Sequence, residues 1–165
     1  MAPDGASTTQ TSYSGNSTTV TDAAGMWKTS TSDTFGNLTL LTEPNPAGGA
    51  NWTTSYTYNA LNQLTQVSMT RPQGTQTRTF GYTGTDMTTE TNPENGTVTY
   101  TYDNAHNLMS KTDNIGQKTV YTRDAYARVT EIQHYVWQSG TLVEDLKQRV
   151  NYTYDTCLLY TSRCV

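Results

Sequence analysis

Tyr100-Thr101-Tyr102-Asp103-Asn104-Ala105-His106-Asn107-Leu108 is the stretch from which the fold of this chain can be read. In an extended strand, side chains two residues apart point to the same face, so Tyr100 and Tyr102 share one face and Thr101 takes the other. Asp103 follows at once, and an Asp side chain accepts a hydrogen bond from its own backbone two residues on, which starts a turn. His106 then occupies the place where a tight turn asks for a left-handed residue, and Leu108 opens the return strand. The stretch is half of a β-hairpin with an aromatic face.

The pattern recurs. Tyr56-Thr57-Tyr58-Asn59-Ala60-Leu61-Asn62-Gln63-Leu64 repeats it with Asn59 in place of Asp. Tyr121-Thr122-Arg123-Asp124-Ala125-Tyr126-Ala127-Arg128-Val129 keeps one ring, and Tyr152-Thr153-Tyr154-Asp155 begins another copy. Two weaker copies are Asp33-Thr34-Phe35-Gly36-Asn37-Leu38, which keeps the turn, and Phe80-Gly81-Tyr82-Thr83, which keeps the aromatics. The anchors at 33, 59, 83, 103, 124 and 155 lie 26, 24, 20, 21 and 31 residues apart, near the length of one hairpin and its return. Between anchors lies a second half-motif. Thr112-Asp113-Asn114-Ile115-Gly116 matches Thr21-Asp22-Ala23-Ala24-Gly25 position for position, and in both copies the next anchor follows the Asp by 11 residues. Looser versions are Thr42-Glu43-Pro44 and Thr91-Asn92-Pro93-Glu94-Asn95-Gly96. The Asp-x-x-Gly element supplies the opposite turn, so the expectation is an all-β chain of repeated antiparallel hairpins forming a curved sheet.

Composition agrees. Only 33% of residues are hydrophobic and 15% charged, which alone fits either a disordered linker or a thin-cored repeat protein. The 12 Tyr and 3 Trp decide for the repeat protein, because disordered segments are poor in aromatics. Thr and Tyr both suit a pleated, half-buried surface. A net charge of -4 spread along the chain offers no basic stripe to a phosphate backbone, so nucleic acid is not expected as a partner. No apolar run is long enough to span a membrane as a helix. The opening residues Met1-Ala2-Pro3-Asp4-Gly5 carry neither the basic nor the apolar region of a secretory signal.

Taken together, Tyr-x-Tyr-Asp-x-x-Gly/Asn-x-Leu followed by Thr-Asp-x-x-Gly resembles the RHS/YD repeat of bacterial Rhs and wall-associated polymorphic toxins and of animal teneurins. The resemblance covers residues 13–156 and is strongest from Tyr56 to Val129. It rests on Asp22, Gly25, Asp33, Gly36, Tyr56, Tyr58, Asn59, Leu64, Tyr100, Tyr102, Asp103, Leu108, Asp113, Gly116, Tyr121 and Asp124. It implies a strip of sheet that forms part of the wall of a shell. In the bacterial members the shell encloses a C-terminal toxin domain. The implied setting is a secreted or cell-surface bacterial protein whose export signal lies outside this segment or whose export route is a different one. Its implied partners are the remainder of its own polypeptide, meaning further repeats, a core and a C-terminal domain. A carbohydrate- or cell-surface-binding adhesion module, with exposed Tyr and Trp contacting a glycan or protein, is the alternative.

No catalytic, cofactor or metal constellation is read from the sequence, and an enzyme is not expected. His106 is a turn residue, and His134, beside Tyr135 and Trp137, is a packing residue. Two separated histidines do not supply the roughly four closely spaced ligands of a zinc site. One Asp per turn, as at Asp33, Asp103, Asp124 and Asp155, falls short of the roughly six to eight converging oxygens that calcium needs. Glu90, Glu94, Glu131 and Glu144 form no acid pair across a cleft. Trp137, in the longer hairpin of residues 136–150, is read as sheet packing with a sugar or partner contact as the other reading.

Residues 1–12 are a polar terminal segment expected to be poorly ordered. Residues 157–165 share neither composition nor register with the repeats and contain both cysteines, Cys157 and Cys164. They read as translated junction sequence, with a native short terminus as the alternative. Stability in such an array comes mostly from neighbour contacts, and no capping element is visible at either end. The isolated chain is therefore expected to melt broadly or to self-associate through open strand edges. Sedimentation and thermal denaturation check this; a monomer with a sharp cooperative melt contradicts it.

Overall fold

The computed structural model describes residues 8–155 and 161–164. The chain divides into two compact units between Thr79 and Phe80. Alternation of Thr or Ser with apolar residues, broken every few residues by Asp, Asn, Gly or Pro, leaves strand and turn as the available local structures. Among the described residues there are fifteen strands, no α-helix, and one 3-10 turn at Leu146–Gln148.

The first unit holds β1 (Gln10–Ser14), β2 (Ser17–Thr21), β3 (Trp27–Ser32), β4 (Leu38–Glu43), β5 (Trp52–Tyr58), β6 (Leu64–Arg71) and β7 (Gly74–Thr83), the last running across the division. Each pairs antiparallel with the next in chain order. Tyr56 stands opposite Val67 and Tyr58 opposite Leu64, so the rings lie beside aliphatic side chains of the return strand on one face. Thr57 faces away with Gln66. β1 begins at Gln10, within the polar segment 1–12; residues 1–7 lie outside the described residues.

The second unit holds β8 (Asp86–Asn92), β9 (Gly96–Tyr102), β10 (Leu108–Thr112), β11 (Lys118–Arg123), β12 (Val129–Gln138), β13 (Thr141–Glu144), β14 (Val150–Tyr154) and β15 (Thr161–Cys164). From β8 to β12 the pairing again follows chain order. The ten-residue β12 then divides its outer edge. Tyr135–Gln138 pairs with β13, while Glu131 and Ile132 pair with β14. Arg149 fixes the connection between them, reaching Glu144 at 2.6 Å and Glu131 at 3.3 Å. β15 adds to β14 through backbone pairing. Residues 156–160 and 165, which take in most of the tail read as junction sequence, lie outside the described residues.

Two turns depart from the repeat pattern. The anchor at Thr83 makes a tight two-residue turn to Asp86 through Gly84 at φ 60°. Thr has no carboxylate or amide to hold a wider loop open. A second tight turn, Pro72-Gln73, connects β6 and β7 inside the 24-residue spacing.

Among the described residues no apolar side chain is fully buried, and the buried residues are Thr54, Ser110 and Thr119. The cause is architectural: a β-sheet buries an apolar face only against a second layer. Here the tyrosines shield one another and their aliphatic neighbours side by side.

Candidate functional site

Six turns share one geometry, starting at Asp22, Asp33, Asn59, Asp103, Asp113 and Asp124. In each, the backbone N–H of the first residue donates to the carbonyl four residues on at 2.9–3.0 Å. The N–H three residues on donates back to the first carbonyl at 3.0–3.1 Å. The first residue's Oδ1 accepts the N–H of residue +2 at 2.8–3.1 Å. It also accepts the N–H of residue +4 at 2.8–3.0 Å. One oxygen thus satisfies two N–H groups that the loop would otherwise leave to solvent. Residue +3 is left-handed throughout: Gly25, Gly36 and Gly116, but also Asn62 at φ 59°, His106 at 63° and Ala127 at 61°.

The four Tyr-type anchors carry a further pair of groups. Residue +4 bonds the anchor's other side-chain atom: Asn37 Nδ2 to Asp33 at 3.0 Å, Asn107 Nδ2 to Asp103 at 3.0 Å, Arg128 Nε to Asp124 at 2.7 Å. At Asn59 the polarity reverses, and the anchor's amide donates to Gln63 Oε1 at 2.7 Å. These bonds hold the carboxyls of Asp33, Asp103 and Asp124 below their ordinary value of 3.8. The largest cause is the Asn37 side chain for Asp33, the Asn107 backbone N–H for Asp103 and the Arg128 side chain for Asp124. A lowered native value means the contribution to stability is complete above 3.8 and is lost as the pH falls through the lowered value.

The two turn classes differ in the ladder beyond them. After each Tyr-type anchor the ladder slips by one residue, a β-bulge at Thr39, Thr65, Met109 or Thr130. After Asp22 and Asp113 the register runs on without a bulge. Three of the bulged residues are threonines, and each donates its hydroxyl to the carbonyl two residues before its anchor: Thr39 to Thr31 at 3.1 Å, Thr65 to Thr57 at 3.0 Å, Thr130 to Thr122 at 3.3 Å.

A bulge locally disrupts the ladder, and the carbonyl just before it is where a later repeat attaches. Tyr58 Oη donates to the Leu38 carbonyl at 3.0 Å, and Tyr154 Oη to the Val129 carbonyl at 2.6 Å. Arg123, standing where other copies have Tyr, donates its guanidinium to the Leu108 carbonyl. Tyr102 Oη donates to the Met87 carbonyl at 3.0 Å, near the start of β8 and beside the tight turn at Gly84. The residue before each of these anchors therefore ties its repeat to the one before. Burial raises the phenols of Tyr58 and Tyr102, which keeps them protonated as donors. Tyr100 is pushed up to about 12, first by burial and then by its bond to Glu90 at 2.9 Å. Turn tips touch as well: Asn37 Nδ2 donates to Asn62 Oδ1 at 3.1 Å, and His106 Nδ1 sits 2.9 Å from Asp86. Arg128 lies 4.4 Å above the ring of Tyr154.

The residues on which the resemblance rests thus fall into distinct roles. Asp22, Asp33, Asn59, Asp103, Asp113 and Asp124 open turns, and Gly25, Gly36 and Gly116 take the left-handed position. Tyr58 and Tyr102 are tethers. Tyr56, Tyr100 and Tyr121 cover the aromatic face, where Leu64 and Leu108 open the return strands opposite Tyr58 and Tyr102. Sequence reasoning does not single out the +4 partners or the bulge threonines. Both stand in the aligned copies, as Asn37, Gln63, Asn107 and Arg128, and as Thr39, Thr65 and Thr130. Among the described residues no group of three or more His, Cys, Asp or Glu converges as a metal site. His134 Nδ1 faces the Thr119 hydroxyl at 3.2 Å. Trp137 lies so close over Gly116 that a methyl group there would overlap its indole.

One apolar cleft of about 380 Å³ lies in the first unit, lined by Trp27, Trp52, Pro44, Pro46 and Met26 with Glu43 and Arg71. The Arg71 guanidinium lies 5.0 Å above the Trp52 ring. A polar trough of about 490 Å³ lies in the second, where Tyr100, Lys111, Thr119 and His134 face one another across four strands.

No family model matches the chain, and no curated protein matches it. Among solved structures it is similar to TcdB2-TccC3 without its hypervariable C-terminal region, at 19% identity and a TM-score of 0.54, over 88% of this chain and 9% of that one. It is also similar to the Tc holotoxin pore of Photorhabdus luminescens, at 20% identity and a TM-score of 0.50, over 82% and 9%. A porin-like protein from Bacteroides uniformis aligns at 16% identity over 84% and 74%, with a TM-score of 0.49. The chain spans about a tenth of the length of the Tc structures, and the likeness is one of fold.

Loss of one tether is expected to loosen one joint. A net hydrogen bond is worth about 1 kcal/mol, so Tyr58→Phe and Tyr102→Phe are each expected to lower stability by about that amount in urea titrations. Tyr13→Phe, whose ring is 78% exposed, is expected to leave it unchanged.

Proposed function

We propose that this chain is a structural segment of a secreted or cell-surface RHS/YD-repeat protein, contributing wall to a shell that encloses a C-terminal toxin domain. The observation that carries the reading is the joint between repeats, in which the residue before an anchor donates to a carbonyl at the start of an earlier return strand. That joint makes each repeat dependent on its neighbour and permits indefinite extension, which is what a wall requires. The fold likeness to TcdB2-TccC3 supports it. So does the way the polar side chains are used: the anchor carboxylates are bonded to their own turns. In this reading the segment's partner is the rest of its polypeptide, and its role is mechanical enclosure without catalysis.

Sequencing the flanking DNA tests the proposal. The expected parent frame continues in further Tyr-x-Tyr-Asp repeats and ends in a core segment followed by an unrelated C-terminal domain. A complete frame with neither core nor C-terminal domain overturns it.

A further inference from the structure

One connection departs from the repeat and builds a cleft where others only turn. Residues 22–26 join β2 to β3 in five residues, whereas residues 44–51, eight in all, join β4 to β5. Glu43, at the Asp position of Thr-Asp-x-x-Gly, does not close a turn. Its carboxylate lies on the sheet instead, 2.7 Å from Lys28 Nζ and 3.9 Å from the Arg71 guanidinium. The loop is held by Asn45, whose Oδ1 accepts the Ala47 N–H at 3.0 Å and whose Nδ2 donates to the Gly48 carbonyl at 2.7 Å. Pro44 and Pro46 bracket that Asn, and with Met26 they line the cleft of about 380 Å³.

One wall of the cleft is a single cross-strand row on the tyrosine face. Val20 stands opposite Lys28, Lys28 bonds Glu43, and Glu43 stands opposite Trp52. Arg71 follows, with its guanidinium 5.0 Å above the Trp52 ring. Trp52 and Tyr56 lie four residues apart in one strand, so they share a face. From Val20 to Arg71 the row crosses five strands, a span of about 19 Å. Its charges cancel, Asp22 and Glu43 against Lys28 and Arg71. The Arg71 guanidinium is engaged by the Thr53 and Thr70 carbonyls as well as by Glu43. Trp52 Nε1 differs. It is buried and has no hydrogen-bond partner, the one side-chain nitrogen or oxygen of that kind among the described residues.

A buried donor without an acceptor costs free energy that an incoming acceptor recovers. Arg71 lies over one face of the indole, so the ring offers a ligand its N–H rather than that face for stacking. The side chains of Val20, Pro44 and Pro46 accept no hydrogen bond, and the Glu43 carboxylate is already paired. A ligand with hydroxyl or secondary-amide groups would bury donors there with nothing to receive them. A proline-rich peptide brings no such donor, because each X–Pro amide lacks the N–H and keeps its carbonyl. In polyproline II that carbonyl has no internal hydrogen bond, and at about 3.1 Å per residue roughly six residues span the row. We propose that this cleft binds a proline-rich segment of a second polypeptide in polyproline II conformation, with one of its carbonyls accepting the Trp52 indole N–H. A Cβ at Gly48 or Gly49 would meet nothing within 4 Å, so the loop has room to yield as the segment enters. The inference goes beyond the shell reading and does not depend on it.

Titration of the isotope-labelled full chain with decaproline, followed by NMR of the indole N–H resonances, tests the proposal. Loss of one resonance in Trp52→Phe identifies that of Trp52. It is expected to move saturably downfield, while the Trp137 resonance, from the second unit, stays in place. A Gly-Ser peptide of equal length is expected to cause no saturable change. Trp52→Phe keeps a ring and removes the N–H; with its circular dichroism unchanged, it is expected to bind decaproline about fivefold more weakly. Met26→Glu alters a turn residue that is 50% exposed, sets an acid against the cleft without touching a strand, and is also expected to weaken binding. No saturable shift at Trp52, an equal response to the Gly-Ser peptide, or full affinity in either folded variant would each overturn the proposal. So would a Trp52 shift that follows the chain's own concentration and that decaproline does not reverse, which would give the cleft to a second copy.

Discussion

Everything regular in this molecule depends on one oxygen atom accepting two backbone N–H groups. The Oδ1 of Asp22, Asp33, Asn59, Asp103, Asp113 or Asp124 closes a five-residue loop. Without that acceptor, the N–H groups at +2 and +4 would turn to water and the loop would have many alternative conformations. Closing the loop sets which residues meet across the hairpin, and a slip by one residue would exchange the aromatic and hydroxyl faces. The side chain of a single polar residue thus controls the sidedness of the sheet.

The rest is built on that turn in order. The Tyr-type turn is succeeded by a bulge, the bulge disturbs the ladder beside one carbonyl, and a later repeat's Tyr or Arg donates to that carbonyl. The Asp-x-x-Gly turn has the same loop but no bulge, so tethers occur on alternate turns. This division of labour explains how a chain with no fully buried apolar side chain among its described residues can still hold a fixed register. Hydrogen bonds and half-covered rings share the work that a closed core does elsewhere. It also explains the tolerance of Asn62, His106 and Ala127 in left-handed positions, where a non-glycine residue costs about 1–2 kcal/mol. Two side-chain hydrogen bonds to the anchor offset that cost locally.

Strand, turn and face are legible in the sequence because they are local. Tyr-x-Tyr marks a face, Asp marks the turn, and the glycine or its substitute marks the third residue after it. The Thr83 anchor matches the repeat in its aromatics and departs from it in its turn chemistry, and structure follows the turn chemistry. The tethers are not legible, since Tyr58 and Leu38 are 20 residues apart and nothing in a linear pattern says which carbonyl a bulge leaves accessible. Nor is the row of Thr19, Thr29, Thr42, Thr53, Thr70 and Thr75, which exists only once the register aligns six strands. Trp137 reads as packing from the sequence, and its overlap with the space above Gly116 shows against what it packs.

Amide hydrogen exchange followed by NMR tests the central claim most directly. If the anchor oxygens organise the fold, the amides of Ala24, Phe35, Leu61, Ala105, Ile115 and Tyr126, all at turn tips, exchange as slowly as the amides of the flanking strands. Replacing Asp103 by Ala then releases Ala105 and Asn107 together with the Leu108 strand, while Asp103→Asn leaves them protected. Exchange of those six amides at the rate of unstructured loops, in a chain whose strands remain protected, would contradict the account.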